Sequence, residues 1–521
     1  MGCGHSSVTR RRKLNTSLQT IETTESLTVE QPELNHAHRR TAKWDMENVF
    51  KNYFVLVGTQ IGGALFSFAT VWLATKLYGT EGYGNIVAIV AGSQAVQLFT
   101  NWTNVALARY GVQEFVETGK ISKSFWARSA VAIPNLGVVA STAPLWIYWI
   151  FAMLHLPSSV LWYVVLHVCA SVAWLHFQHA LQAAKLPRMQ GALLFIERAA
   201  VFLLVVLFGY FLKLSWLFAF VAFIAAPLAM CVVAIVKLRP FINYKVAIEK
   251  KSVKRILSFS IPLIPYSVAG FFCTNYLDAF FITRYLSKSD LGLYSVAYQI
   301  NSLLLQFLIL VGTLLMPMFV TLRTKEQHGY IHQYVENILP VVTLCWGAVM
   351  PFAAIAVGHI VPLIFGQEFV HLDAVLWVFM SGTSFILPSL IGYSPFATAA
   401  SAVYISFPLA LTSAATNVLG NFALIPKWGL LGSAWSTSLS SIVALISIVL
   451  LIRLKFRFKT SLLFQCLIPT IFCLLIYLVS GNQWIASTAS LLLASVFALM
   501  NFGKIKAAIS TLHKLVLLRA Q

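Results

Sequence analysis

Two ionisable groups stand inside stretches that are otherwise apolar. Arg198 lies ten residues beyond Arg188, which on a helix is about 15 Å and brings it near the middle of a bilayer. A charge at that depth is costly and marks either a polar passage or a pairing partner. The planar guanidinium donates to two oxygens at once, which suits a phosphate; an ion pair with a neighbouring helix is the plainer role. Glu197, adjacent in sequence, points about 100° away on a helix and is expected to be a poor partner for Arg198. Asp278 is the second such charge, six residues before Arg284. It could pair with Arg198 across a lumen, bind a proton or sodium ion that drives exchange, or hydrogen-bond to Asn275 or a nearby hydroxyl.

Amides surround these charges. Gln60, Gln94, Gln97, Asn101 and Asn104 give the first two apolar stretches a polar side. Gln97, Asn101 and Asn104 fall at i, i+4 and i+7, one helix face, and Gln299 with Gln306 offers a counterpart in the eighth stretch. Such amides could hold the polar groups of a substrate, or join helices at about 0.6 kcal/mol each. Pro262 and Pro265 each remove a backbone donor, so the helix below Asp278 should kink or break. With Lys76 and Arg284, at the ends of the first and seventh stretches, they are candidates for a gate. His176 and His179 could share a metal at i, i+3, but zinc needs a further protein ligand and none is evident. With His167 they read instead as a polar helix face with a role for a proton, and no metal is expected.

These residues need long apolar elements to place them, and the composition supplies them. Of 521 residues, 59% are hydrophobic and only 10% charged, against about 25% charged in an ordinary soluble domain. Mean hydropathy is +0.78. Apolar stretches long enough to cross a membrane recur about fourteen times, with no connection above about twenty residues. The fold class is therefore an all-α polytopic membrane protein, with no room for a soluble catalytic domain. The net charge of +20 does not imply nucleic acid, because the basic residues sit between apolar runs, where they set topology and meet membrane lipid headgroups. With the N-terminus inside, inner segments carry 31 Lys and Arg and outer ones 5, so both termini are expected to be cytoplasmic. Residues 1–45 are polar and basic and are expected to be disordered. Gly2 and Ser6 fit a myristoylation pattern with Cys3 as a palmitoyl site, and Met46 is an alternative start. Six of the seven cysteines lie in apolar stretches and form no C-x-x-C pair.

The first and seventh stretches end alike. Thr75-Lys76 and Thr283-Arg284 are each followed, eight residues after the basic residue, by glycine (Gly84, Gly292), at a constant offset of 208. This predicts a six-helix half over 46–236, a basic linker over 237–255, a second half over 256–452, and two extra helices with a tail over 453–521. Parallel repeats of this kind are a transporter signature. The run Lys76 to Gly84 (KLYGTEGYG) resembles the first outer loop of the polysaccharide flippases in the multidrug/oligosaccharidyl-lipid/polysaccharide exporter superfamily. So do Asp278-Ala279-Phe280-Phe281-Ile282, Leu291 to Ala297, and Pro426 to Ala434. The resemblance covers about residues 46–501.

The resemblance implies a flippase of the bacterial cytoplasmic (inner) membrane for undecaprenyl-pyrophosphate-linked sugar repeat units, serving O-antigen or another surface polysaccharide. The two halves would form a V-shaped lumen, and a polysaccharide polymerase and a chain-length regulator would be partners. Neither covalent chemistry nor a cofactor is expected. A lipid II flippase fits the same plan. A multidrug cation exporter of the superfamily usually stops at twelve spans and favours acidic lumen residues, against which Arg198 counts. A sugar polymerase or ligase would need a long outer loop, and the outer connections reach only about fifteen residues.

Overall fold

Without water in a bilayer core, a backbone must satisfy its own polar groups, and a continuous apolar run of about twenty residues does so within itself as a helix. The computed structural model describes residues 46–506 apart from Tyr244, Lys325, 401–405 and Lys504, and among these it contains no strand. The basic tail with Gly2, Cys3 and Ser6 lies outside the described residues. The chain divides into two units, Met1–Phe54 and Val55–Gln521. In the first, helix begins at Met46; the second holds the bundle.

The helices are α1 (Met46–Asn101), α2 (Asn104–Thr118), α3 (Ser122–Ser141), α4 (Ala143–Leu154), α5 (Leu161–Ala183), α6 (Pro187–Val205), α7 (Trp216–Phe220), α8 (Ala222–Leu238) and α9 (Lys250–Ser260). There follow α10 (Ile264–Phe272), α11 (Asn275–Tyr285), α12 (Lys288–Thr324), α13 (His328–Gln333), α14 (Leu339–Phe365), α15 (Asp373–Pro388), α16 (Ser394–Ala399), α17 (Ser406–Phe456), α18 (Ser461–Ser480) and α19 (Gln483–Met500). Ten helical segments among the described residues are long and apolar enough to cross a membrane, or eleven when α3 and α4, bent by 67°, count as one span. This is a multi-pass membrane protein. Two of the ten contain a turn at a glycine of positive φ, Gly79 (68°) in α1 and Gly429 (57°) in α17, a backbone state other residues rarely adopt. Each thereby carries two of the apolar stretches.

The seventh stretch is not one continuous helix. Around Pro262 the chain makes a tight turn over Ile261–Leu263 and resumes as α10. A second break follows at Cys273-Thr274, where Thr274 is extended (φ −104°, ψ 159°). The break just below Asp278 is this second one, which neither proline causes. The local donors there fold back in short turns, Cys273 N to Gly270 O and Thr274 N to Phe271 O. The freed Phe272 carbonyl accepts from Asn417 Nδ2 at 3.1 Å, which meets the requirement that a backbone group in an apolar layer be paired.

At the end of the bundle that holds the Gly79 turn, the two repeat-related glycines face each other's chain. A Cβ on Gly84 would lie 2.0 Å from the Lys288 carbonyl oxygen, and one on Gly292 would lie 2.0 Å from that of Thr80. Thr80 and Lys288 are themselves 208 positions apart, so the contact is self-complementary across the repeat. Thr80 Oγ1 and Ser289 Oγ share a hydrogen bond of 2.6 Å, Trp72 Nε1 donates to the Ile364 carbonyl at 3.0 Å, and Lys288 Nζ donates to the Leu154 carbonyl. At the opposite end α9 docks on α2 and α3. Ile256 is buried with Ala106 and Ala127, Arg255 Nη2 donates to Gln113 Oε1 at 2.8 Å, and its guanidinium lies 4.2 Å from the Tyr110 ring centre. The end of the linker predicted at 237–255 is thus a helical turn packed against the earlier helices.

Candidate functional site

Within the bundle is a cavity of about 450 Å³. Its walls come from α1, α5, α6 and α8 together with α11 and α12. Of the residues picked from sequence, Gln97, Asn101, Glu197, Arg198 and Gln299 line it, as does Gln94. Asn101 Nδ2 donates to Gln97 Oε1 at 3.1 Å. The other end of each amide, Gln97 Nε2 and Asn101 Oδ1, has no hydrogen-bond partner among the described residues. A buried polar atom without a partner costs about 1–3 kcal/mol, so these two are set to receive one.

Arg198 and Glu197 correct one expectation. They do pair, with Arg198 Nε 3.2 Å from Glu197 Oε2, although their Cα–Cβ bonds diverge. The arginine stem is long enough to fold back. The carboxylate is buried, whereas the arginine side chain is 52% exposed and lines the cavity. Glu197 Oε2 nonetheless accepts no well-aligned hydrogen bond, because the two groups meet side by side. The ion pair thus engages the guanidinium of Arg198 at Nε, while much of the side chain stays exposed.

Of the roles open to Asp278, the structure shows the hydrogen bond to a nearby hydroxyl, that of Tyr294. It neither lines the cavity nor meets Arg198. Tyr276, two residues earlier, lines the cavity, and residues two apart on a helix point to nearly opposite sides. Asp278 is instead 1% exposed, accepting from Tyr294 Oη at 2.5 Å, Asn417 Nδ2 at 3.1 Å and Asn421 Nδ2 at 2.5 Å. The side chain of Asn275, the partner anticipated from sequence, lies outside the described residues. The partners found are a tyrosine from α12 and two asparagines one turn apart on α17. The Oδ1 atoms of Asn417 and Asn421 are buried without a hydrogen-bond partner among the described residues.

The remaining candidates sit elsewhere. Asn104 is buried with both amide atoms unpaired among the described residues, but it is not in the cavity wall. α1 stops at Asn101 and the turn at Trp102-Thr103 breaks the i, i+4, i+7 face. Gln60 is exposed and outside the cavity. Pro262 and Pro265 are exposed as well. Lys76 is exposed, its Nζ 3.7 Å from where a Cβ on Gly366 would stand. Arg284 lies over Tyr285 at 5.9 Å and lines a smaller cleft with His155 and Lys288. No group of three or more His, Cys, Asp or Glu among the described residues could hold a metal.

Several lining residues had not been singled out: Ser67, Thr70 and Tyr83 on α1, Ser171, Trp174 and Gln178 on α5, Tyr276, and Ser295. For α5 a signal existed. His167, Ser171, Trp174 and Gln178 are spaced by 4, 3 and 4 residues, the mark of one helix face. Ser171 Oγ lies 3.4 Å from His167 Nε2 on that face. His176 turns to the other side of the helix.

A bundle of apolar helices around a cavity with amides, hydroxyls and an arginine in its wall is the form of a membrane transporter. The chain belongs to the family of polysaccharide biosynthesis proteins, which it matches over residues 49–323. Among solved structures it is similar to the lipid II flippase MurJ in an inward closed conformation, at a TM-score of 0.66 and 12% identity, covering 87% of this chain and 100% of that one. It is also similar to the MATE multidrug transporter DinF-BH, at a TM-score of 0.53 and 12% identity, covering 80% and 96%. A third likeness is to an outward-facing multidrug resistance transporter of the same superfamily, at 0.52 and 14% identity over 78% and 96%. At these identities the likeness establishes the fold alone, one shared with these transporters. No curated protein matches the sequence.

Proposed function

We propose that the protein is a flippase carrying undecaprenyl-pyrophosphate-linked oligosaccharide repeat units across the cytoplasmic membrane by alternating access, for O-antigen, capsule or exopolysaccharide. The observation that carries this reading is Arg198, whose side chain is half exposed and lines a cavity that also holds several amides and hydroxyls among apolar residues. The guanidinium would screen the pyrophosphate. Gln94, Gln97, Asn101 and Gln299 would meet sugar hydroxyls, while the prenyl tail stays in lipid. The reading includes fourteen spans, as two six-helix halves and a final pair, with both termini cytoplasmic. The self-complementary contact at Gly84 and Gly292 supports two repeated halves. Lys76, Arg284 and the twice-broken helix around Pro262 and Pro265 stand where the halves move. A polymerase and a chain-length regulator would act on the product.

Coupling to a proton or sodium ion would centre on Asp278. The buried, unpartnered oxygens of Asn417 and Asn421 beside one carboxylate are the donor chemistry such a cation takes. Lipid II is a second reading, since the structural likeness spans all of the MurJ chain.

The test is a deletion strain carrying Arg198→Ala or Arg198→Lys, scored for surface polysaccharide and for membrane abundance. Loss with Ala at normal abundance and partial retention with Lys is the expected result. Intact polysaccharide in the deletion strain overturns the reading, and rescue of a strain depleted of its lipid II flippase turns it to the second one.

A further inference from the structure

A second cavity, of about 370 Å³, shares no lining residue with the first. It lies between α3, α5 and α8 and opens at Ile133 and Ile235, which are 67% and 42% exposed. On a membrane-embedded surface such residues meet lipid. The wall is apolar, with Phe125, Ala132, Leu136, Ala173 and Phe177 among its members. One charge stands in it. Arg128 lines the groove, is 1% exposed, and has no hydrogen-bond partner for Nε or Nη2 among the described residues.

A buried guanidinium without a counter-ion is costly, and proteins avoid it by pairing. Nothing described on the neighbouring elements pairs with this one. Glu114 caps the start of α3, accepting from the backbone N–H groups of Lys123 and Ser124 at 2.7 and 2.8 Å. Glu249 is held by Lys123 Nζ at 2.7 Å. Ser129 and His176 close on each other at 3.3 Å. Around the junction where Ile121 N bonds to the Phe241 carbonyl, the exposed charges Lys120, Arg239 and Lys245 add positive potential. Arg128 is six residues past Ser122, about 9 Å along the helix, a depth at which an arginine still reaches a headgroup.

We propose that this groove is a binding site for an anionic phospholipid of the surrounding bilayer, its phosphate on Arg128 and one acyl chain along Ala132, Leu136, Ala173 and Ile235. Basic pockets between membrane helices take such headgroups. The occupant would matter to transport because α5 is a shared wall. Its His167, Ser171 and Gln178 face the polar cavity, while Ala173, His176 and Phe177 face the groove. A lipid seated there would brace the helix that carries part of the lumen.

The experiment uses the full-length protein purified in detergent and stripped of lipid. Thermal stability is followed during titration with dioleoyl phosphatidylglycerol, dioleoyl phosphatidylcholine or undecaprenyl phosphate, and retained lipid is read by native mass spectrometry. Phosphatidylglycerol should raise the Tm saturably and remain bound, and phosphatidylcholine should do neither. Arg128→Gln should weaken this binding at least about tenfold, the loss of a charge-assisted phosphate contact, with Arg128→Lys between. Ala173→Trp, which fills the groove and leaves the arginine in place, should also abolish it and decides the matter if Arg128→Gln does not fold. Equal effects of the two phospholipids, or unchanged binding in Ala173→Trp, overturn the proposal. Protection by undecaprenyl phosphate alone also overturns it, assigning the groove to the transported lipid.

Discussion

The contact at Gly84 and Gly292 permits a quantitative perturbation. Replacing either glycine by alanine places a methyl group 2.0 Å from a backbone carbonyl oxygen, where ordinary contact begins at 3.4 Å. Neither carbonyl is the end of a flexible side chain, so the helices must part by about 1.4 Å or bend, and overpacking of this kind costs about 1–3 kcal/mol. The penalty falls only on the arrangement in which these helices touch. It should therefore shift the population away from that arrangement by about 5- to 150-fold. The Thr80–Ser289 hydrogen bond of 2.6 Å reports on the same seam. With cysteines at both positions, the sulfurs stand within reach of a disulfide, and the rate of oxidative cross-linking measures how often the seam is closed. Gly292→Ala or Gly84→Ala should slow cross-linking by a factor in that range and reduce surface polysaccharide at normal abundance. The double variant should cost less than the sum, since both changes open one contact. Gly137→Ala, with nothing within 4 Å of the added methyl, is the control. If Gly84→Ala and Gly292→Ala cross-link as fast as the control, this seam is not a closure between moving parts.

Asp278→Ala should lower the Tm of the purified protein, because the donors of Tyr294, Asn417 and Asn421 lose their common acceptor, at about 1–3 kcal/mol for the first group left unpaired. An unchanged Tm would refute the network, while Asp278→Asn should be milder, since it keeps the shape. At the membrane surface, the hydrogen bond and charge of Lys123 hold the Glu249 carboxyl below its ordinary value of 4.5. That contact therefore contributes fully above 4.5 and is lost as the pH falls through the depressed value. The pair is exposed, so the expected Tm difference between the protein and Glu249→Gln is small, shrinks with salt, and vanishes at low pH. A difference that persists in acid would contradict the assignment.

Hydropathy alone determined that this is a helical multi-pass membrane protein, since continuous apolar runs of about twenty residues fit a spanning helix and not the short alternating strands of a barrel. The polar face of Gln97 and Asn101 and the inward placement of Arg198 were legible for a related reason: polar groups in an apolar helix are expensive and so declare themselves. The 208-residue echo between Gly84 and Gly292 was legible too, though not its meaning. That the two glycines press against each other's chains depends on which helices cross, and local sequence does not encode a crossing. The same limit explains the errors. Asn104 left the amide face because a turn at Trp102-Thr103 ended the helix. Asp278 turned from the lumen to two asparagines 139 and 143 residues away. Glu197 met Arg198 because side-chain reach, rather than Cα–Cβ direction, sets an ion pair. Arg128, which nothing in the local sequence singles out, became a buried charge only when α5 and α8 closed over it. The helices follow from the chain's own periodicity. The partners of each charge follow from packing between segments far apart in sequence, and only the tertiary structure decides them.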